Sequence, residues 1–292
     1  MFVKDNSLVS VQQYFAVELK NVFTDREIKQ LTKQFICKRL GWDAMDYLVN
    51  RDATVSESDL LYFRSVIKQL LKGEPYQYVL GEVFFYNLTL NIDRRALIPR
   101  PETEELVDWV LSDNPDSNGV IVDIGTGSGC IPLALKRAQP SFHIYGVDKS
   151  LEALSLAQEN SQRLDLAVEF LEMDILTLNE SNNLPSIIDV IVSNPPYILE
   201  EDKVEMSAHV LDHEPHQALF VTDNDPLQFY KAIADFALKT LRPSGKIYLE
   251  IHENYAQEVV DLYRSVGFQS VEVRQDLQGK DRMIKITQQL EK

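Results

Sequence analysis

The 292-residue chain has almost no cysteine, only Cys37 and Cys130. They lie far apart and show no metal-ligand spacing, which excludes a disulfide framework and a cysteine-built metal site. One disulfide or two reduced thiols remain as alternatives, and two reduced, packed thiols are the expectation. Long apolar runs are missing too. None approaches the roughly 18 residues that a membrane-spanning helix requires. The opening stretch MFVKDNSLVSVQQYF lacks a signal-peptide core and a small-residue cleavage site, so a cytoplasmic protein is expected. Basic residues are in short supply: 29 Lys and Arg stand against 45 Asp and Glu, a formal charge of −16. The deficit is uneven, with a net of +1 over residues 1–75 and −17 over residues 76–292. So acidic a surface repels phosphate backbones and argues against nucleic-acid binding as the principal task. A protein partner or a small cationic ligand suits it better, unless the acidity serves solubility alone. There is no internal repeat and no low-complexity tract.

What is present is ordinary globular composition, 45% hydrophobic and 25% charged, in a length that fits one large or two smaller domains. The first stretch reads as helical. Val11, Phe15, Leu19 and Val22 recur at helical spacing. Thr24 followed by Glu27 has the form of a capping box, with Ile28, Leu31 and Phe35 on one face behind it. A further helix opens at Ser56–Asp59, with Leu60, Phe63, Ile67 and Leu70 inward. Gly73-Glu74-Pro75 breaks the pattern. Residues 83–86 and 88–92 then read as a β-hairpin, and Ile98-Pro99-Arg100-Pro101-Glu102 leads into a helix.

From about residue 118 the chain alternates compact apolar strands, at 120–124, 143–147, 168–171, 187–192 and 247–251, with helical stretches at 128–138, 150–163 and 226–241. That alternation predicts a parallel sheet covered on both faces. Two last strands near 269–275 and 282–287, joined by a short loop, predict an antiparallel pair at the sheet edge. The organisation expected is a helical docking domain over 1–73, a hairpin linker over 74–101 and an α/β domain over 102–292.

The first strand runs into Asp123-Ile124-Gly125-Thr126-Gly127-Ser128-Gly129. Glycines at such a turn let a backbone approach a ligand closely. Asp148 ends the next strand, 23 residues past Gly125, where a carboxylate can accept from both hydroxyls of a ribose. The loop is G-x-G-x-G, with Cys130 at the place of the third glycine of a dinucleotide fingerprint. Asp123 lies where a pyrophosphate would be repelled and a cationic or amino group welcomed. The pattern favours S-adenosylmethionine over NAD. Asp174, with Ile175 after it, ends the third strand. It either meets the adenine amino group or caps the local backbone.

Asn194-Pro195-Pro196-Tyr197 ends the fourth strand on the same sheet edge. Prolines fix φ and leave their carbonyls as acceptors aimed in set directions, and the asparagine side-chain oxygen is a second acceptor. Two rigid acceptors can grip both hydrogens of a planar –NH2, with the Tyr197 ring against its flat face. A delocalised amide or aromatic amine nitrogen is a poor nucleophile, so orienting it toward a methyl donor is the help it needs.

These residues together resemble the amino-methyltransferases that act on adenine, guanine or glutamine amide nitrogens. Gly73–Gly81, Ile98–Glu104, Glu214-Pro215 with Ala218-Leu219, and Asp276-Leu277 with Arg282 resemble the HemK/PrmC family in particular. The resemblance runs from about Gly73 to the end; the N-terminal helices match in kind and length. It implies a class I S-adenosylmethionine-dependent methyltransferase fold, α/β and Rossmann-like, mostly parallel with an antiparallel edge strand, preceded by a small helical bundle and a hairpin. It also implies N5-methylation of the glutamine in the Gly-Gly-Gln motif of peptide chain release factors, with S-adenosylhomocysteine as product. By the same resemblance Gly125–Gly129 holds the methionine part of the cofactor and Asp148 the ribose. Asn194 and Pro195 hold the substrate amide, with Pro196 and Tyr197 packed beside it. Arg100 and Glu102 either order a loop over the site or form a salt-bridged hinge. The chain departs from the family at His252, read as a tolerated surface substitution, and at Phe220–Asp223. A monomer is expected. The competing readings are an amino-methyltransferase acting on DNA or RNA, a silent S-adenosylmethionine sensor, and, more distantly, an NAD-binding oxidoreductase.

Overall fold

The computed structural model describes residues 3–115, 118–177, 184–206 and 208–287. The chain divides into two compact units, Met1–Gly81 with Ala208–His213, and Glu82–Ser207 with Glu214–Lys292.

The first unit is helical. Its helices Leu8–Leu19, Asp25–Leu40, Ala44–Val49 and Glu57–Leu71 begin at the side-chain caps Ser7, Thr24, Asp43 and Ser56. Thr24 with Glu27 and Ser56 with Asp59 are complete capping boxes, each satisfying backbone N–H groups that the first turn leaves open. Val11, Phe15, Leu19, Ile28, Leu31, Phe35, Phe63, Ile67 and Leu70 form one buried cluster. Val22 does not join it. The first helix stops at Leu19, and Val22 lies in the following turn, 44% exposed.

The second unit opens with a hairpin, β1 Glu82–Phe85 and β2 Leu88–Asn91, paired antiparallel. Tyr86 and Asn87 both take positive φ, 45° and 63°, as a two-residue turn that matches strand twist requires. The main sheet contains β3 Val120–Ile124, β4 His143–Asp148, β5 Glu169–Glu172 and β6 Ile188–Ser193. A small parallel pair, β7 Ile198–Leu199 and β8 Phe220–Val221, stands apart from it. The sheet is completed by β9 Leu241–Glu250, β10 Ser270–Gln275 and β11 Asp281–Thr287. Strand order is β10-β11-β9-β6-β3-β4-β5. The antiparallel pair does form the edge, and the strand that opposes the others is its inner member, β11.

Alternate residues of each strand feed two apolar layers. Ile191, Ile247 and Leu249 pack with Tyr230, Ile233, Val259 and Tyr263. Val190, Val192 and Tyr248 pack with Leu106, Trp109 and Leu133. From β3 the chain proceeds outward to β4 and β5, then returns to lay β6 on the other side of β3. The reversal between β3 and β6 opens a crevice beyond their carboxyl ends, where α/β sheets bind ligands.

The hairpin is anchored within this unit by Asn160, fully buried on the helix Leu151–Leu164. Its Oδ1 accepts from the Asn91 N–H at 2.6 Å, and its Nδ2 donates to the Asn91 and Ser128 carbonyls at 3.0 Å each. One side chain thus joins the hairpin to the glycine loop. Cys37 and Cys130 are unpaired.

Candidate active site

A cleft of about 800 Å3, open to solvent, lies beyond the carboxyl ends of β3, β4 and β6. Gly125, Gly127, Asp148, Asp174, Ile175, Asn194, Pro195 and Pro196 line it. The glycine loop and the proline turn therefore meet in one place, although about seventy residues separate them in sequence.

All three loop glycines have positive φ, 75° at Gly125, 54° at Gly127 and 78° at Gly129. Gly125 has open space where a Cβ would stand, whereas a Cβ on Gly129 would come within 3.1 Å of Ala157 and 3.3 Å of Phe170. Gly125 therefore leaves room for a ligand and Gly129 allows close packing. Gly125 and Thr126 donate their N–H groups to the Val147 carbonyl at 2.8 and 2.9 Å, folding the loop over β4. Asp148 holds it there: Oδ2 accepts from the Gly127 N–H and Oδ1 from the Ser150 N–H, both at 2.9 Å. Burial pushes the Asp148 carboxyl up, and those backbone donors hold it down.

Asp123, Thr126, Ser128 and Gly129 do not line the cleft; the three side chains are buried at the loop. Among the described residues no donor completes a well-formed hydrogen bond to either Asp123 carboxylate oxygen, although the Thr126 hydroxyl lies close enough to favour its charge. Burial pushes this carboxyl up to about 7, against the nearby Thr126 hydroxyl and with a smaller upward push from Asp148. Asp174 lines the cleft and also turns its own backbone, Oδ1 accepting from the Leu176 N–H at 3.0 Å.

Tyr197, Arg100 and Glu102 are absent from the cleft wall. The Tyr197 hydroxyl turns inward and donates to Glu250 Oε1 at 3.0 Å, and burial raises its pKa well above the ordinary value. Arg100 Nη2 donates to Glu214 Oε1 at 2.7 Å, while Glu214 Oε2 accepts from the Ile98 N–H at 3.2 Å. Glu214 is buried, and both partners belong to the larger unit. The pair fastens the segment after Leu97 to the segment before Pro215, and both of those residues line the cleft. Glu102 accepts from Gln278 Nε2 at 3.1 Å.

His252 is not a bare surface substitution. It is half-buried, its ring stands edge-on to Tyr197 with centroids 5.9 Å apart, and its Nδ1 accepts from the Asn254 N–H at 3.1 Å. Burial lowers its pKa. Several residues of the site carried no sequence signal of their own. Arg95, Ala96 and Leu97 line the cleft, with Arg95 fixed by Asp93 at 2.8 Å and Glu159 at 2.6 Å. Phe229 and Ile233 line it from the helix Gln228–Thr240. Glu250 does carry a readable signal, a single charge closing the apolar run Ile247-Tyr248-Leu249.

Residues 15–81 match the PrmC N-terminal domain, and residues 103–222 match the methyltransferase small domain. A release factor glutamine methyltransferase of Bacteroides thetaiotaomicron is 39% identical over 94% of this chain and 98% of its own length. The chain belongs to the release factor glutamine methyltransferase family. Other members of that family include the proteins of Flavobacterium psychrophilum, 36% identical over 93% of this chain and 96% of its own, and Streptococcus pneumoniae, 40% identical over 85% and 86%. Among solved structures, the hMettl16 catalytic domain shares the fold at a TM-score of 0.55, with 15% identity over 80% of this chain and 82% of that one. A methyltransferase from Pyrococcus furiosus does so at 0.51, with 16% identity over 69% and 89%. No helix among the described residues is long and apolar enough to cross a membrane.

Proposed function

We propose that this protein transfers a methyl group from S-adenosylmethionine to the side-chain amide nitrogen, N5, of the glutamine in the Gly-Gly-Gln motif of a peptide chain release factor. The observation that carries the reading is the convergence of Gly125, Asp148, Asn194 and Pro195 on one cleft, in a chain of this family. Three features fit the cofactor. Gly125 leaves open space beside the loop backbone. The Asp148 oxygens, fixed by backbone N–H groups that include those of Gly127 and Ser150, keep lone pairs for the ribose hydroxyls. Asp123, buried behind the loop, has a carboxyl pushed up to about 7, and a cationic ligand in the cleft would favour its ionised form. Asp174 and Ile175 lie at the wall that suits the adenine.

When bound, S-adenosylmethionine supplies a methyl group on a positively charged sulfur that leaves as a neutral thioether. The protein's own residues orient the nucleophile. Asn194 Oδ1 and the Pro195 carbonyl accept the two hydrogens of the substrate amide, turning its nitrogen lone pair toward the methyl carbon. No strong general base is required, because the proton is acidic once the nitrogen is methylated. Pro195 and Pro196 keep the acceptors from relaxing toward the ground-state geometry, so their dipoles serve the transition state without reorganising. The helical stretch over residues 1–73 docks the protein substrate, residues 74–101 connect it to the rest, and residues 102–292 carry the chemistry. The setting is the cytoplasm and the working form a monomer.

The test is methyl transfer from labelled S-adenosylmethionine to a recombinant release factor and, separately, to tRNA, rRNA and DNA. Label on the release factor, lost when its Gly-Gly-Gln glutamine is replaced by alanine, is the result expected. Label on nucleic acid alone overturns the substrate assignment and leaves the cofactor.

A further inference from the structure

Behind the proline turn lies a chain of hydrogen bonds that the proposed clamp does not itself require. Asn194 Nδ2 donates to Thr103 Oγ1 at 3.1 Å. The Thr103 hydroxyl donates to Glu250 Oε2 at 2.7 Å, and the Tyr197 hydroxyl donates to the other oxygen, Oε1, at 3.0 Å. Three elements contribute: Thr103 from the first turn of the helix Pro101–Asp113, Glu250 from the end of β9, and Asn194 from the residue after β6. Thr103 and Glu250 are 2% and 1% exposed. So deeply buried a carboxylate is costly unless its oxygens are satisfied, and here two hydroxyls satisfy them.

The direction of each bond follows from the chemistry of its ends. Burial pushes the Glu250 carboxyl up, while the Thr103 and Tyr197 hydroxyls and the nearby Arg282 hold it toward the ionised form, in which a carboxylate accepts and does not donate. A hydroxyl has one hydrogen, so Thr103, having given it to Glu250, can only accept from its other neighbour. The neighbour must then offer an N–H, and Asn194 is held with Nδ2 toward Thr103. Its Oδ1 is left for the cleft that Asn194 lines. The two ends of an asparagine amide are nearly identical in shape, and packing alone discriminates poorly between them. An Asn194 turned the other way would present N–H groups to a substrate amide that also offers N–H groups, and the clamp would repel what it has to hold.

We propose that Glu250, acting through the Thr103 hydroxyl, is the positioning residue that sets which end of the Asn194 amide faces the substrate. The inference rests on the methyl-transfer reading above and extends it to residues that touch neither substrate nor cofactor. Glu250 also restrains the Tyr197 ring through its second oxygen, so one buried carboxylate orders both side chains of the turn.

The experiment is steady-state methylation of the release factor, with cofactor affinity measured separately by calorimetry, on Thr103→Val, Thr103→Ser, Glu250→Gln and the double variant Thr103→Val with Glu250→Gln. Valine keeps the shape of threonine and removes the polarity. Thr103→Val is expected to lower kcat at least tenfold, with cofactor Kd within about twofold and release factor KM little changed. Thr103→Ser is expected to restore kcat to within about threefold of the wild type. If Glu250 acts through Thr103, Glu250→Gln costs much less on the Thr103→Val background than on the wild type. Losses that multiply, or a Thr103→Val kcat within twofold of wild type, overturn the inference alone, because the unmodified enzyme still labels the release factor. Failure of the wild type to label the release factor overturns the functional reading and this inference with it.

Discussion

The Gly127 N–H donates to Asp148 Oδ2 at 2.9 Å, so the carboxylate that ends one strand braces the glycine loop that ends its neighbour. Asp148 shapes the loop, and in the proposed reading it also receives the ribose. Asp148→Ala removes both, and loss of charge-assisted hydrogen bonds of this kind costs about 1.5–3 kcal/mol each. Cofactor Kd is expected to weaken by at least about tenfold. Titration calorimetry checks this, and a Kd within twofold of wild type would exclude Asp148 from the cofactor site.

Asn194 separates from Asp148 in its expected effect. Asn194→Ala keeps the proline turn and the loop but removes one of the two acceptors proposed for the substrate amide. By analogy with the loss of one preorganised hydrogen-bond partner of a transition state, which typically costs about two to three orders of magnitude in turnover, the effect should be large. The expected outcome is a kcat lowered by about a hundredfold or more with cofactor affinity within a few-fold. Near-normal single-turnover methylation of the release factor by this variant would dismiss the amide clamp.

Local chemistry was readable in the sequence and long-range closure was not. Thr24 with Glu27, Ser56 with Asp59, the glycine loop and the paired prolines each act over a few residues, so spacing reveals them. The parallel sheet followed from alternation of apolar strands with helices, because only such a sheet buries both faces. The Tyr197 hydroxyl is engaged with Glu250, far along the chain from the proline turn, and no local spacing announces that bond. The Asn194–Thr103–Glu250 chain draws on positions 91 and 147 residues apart, and no local pattern joins them. Arg95 with Glu159 and Asn160 with Asn91 were hidden for the same reason. Val22 continued the helical spacing on paper, but the helix ends before it.

Asn160 provides the clearest stability prediction. It satisfies the Asn91 N–H and carbonyl and the Ser128 carbonyl from a fully buried position. Asn160→Leu has similar volume and no polar atom, so it leaves those backbone groups without their partner. Each unsatisfied buried group costs about 1–3 kcal/mol. With three groups affected, two of them only part-buried, denaturant unfolding is expected to show a loss near the low end of their sum, about 3 kcal/mol or somewhat more, together with weaker cofactor binding, since Ser128 belongs to the loop. An unchanged midpoint would mean that water replaces the side chain.

Asp123 gives the pH dependence. Its carboxyl is pushed up to about 7 in the folded chain from an ordinary value of 3.8, so between those two values the folded state holds more protons than the unfolded one. Stability from this group is therefore greatest at low pH and falls as pH rises through that window. Asp123→Asn should remove that slope. Binding of a cationic ligand reverses the balance, because positive charge favours the ionised carboxylate and draws its pKa down. Cofactor binding below about pH 7 should then release a proton from Asp123, and affinity should rise with pH up to about 7 and flatten above it. Calorimetry between about pH 5.5 and 8, in two buffers of different ionisation heat, reads the released proton directly. The Asp123→Asn variant should bind with no proton release. Equal proton release from the wild type and the variant would assign the titration to another group.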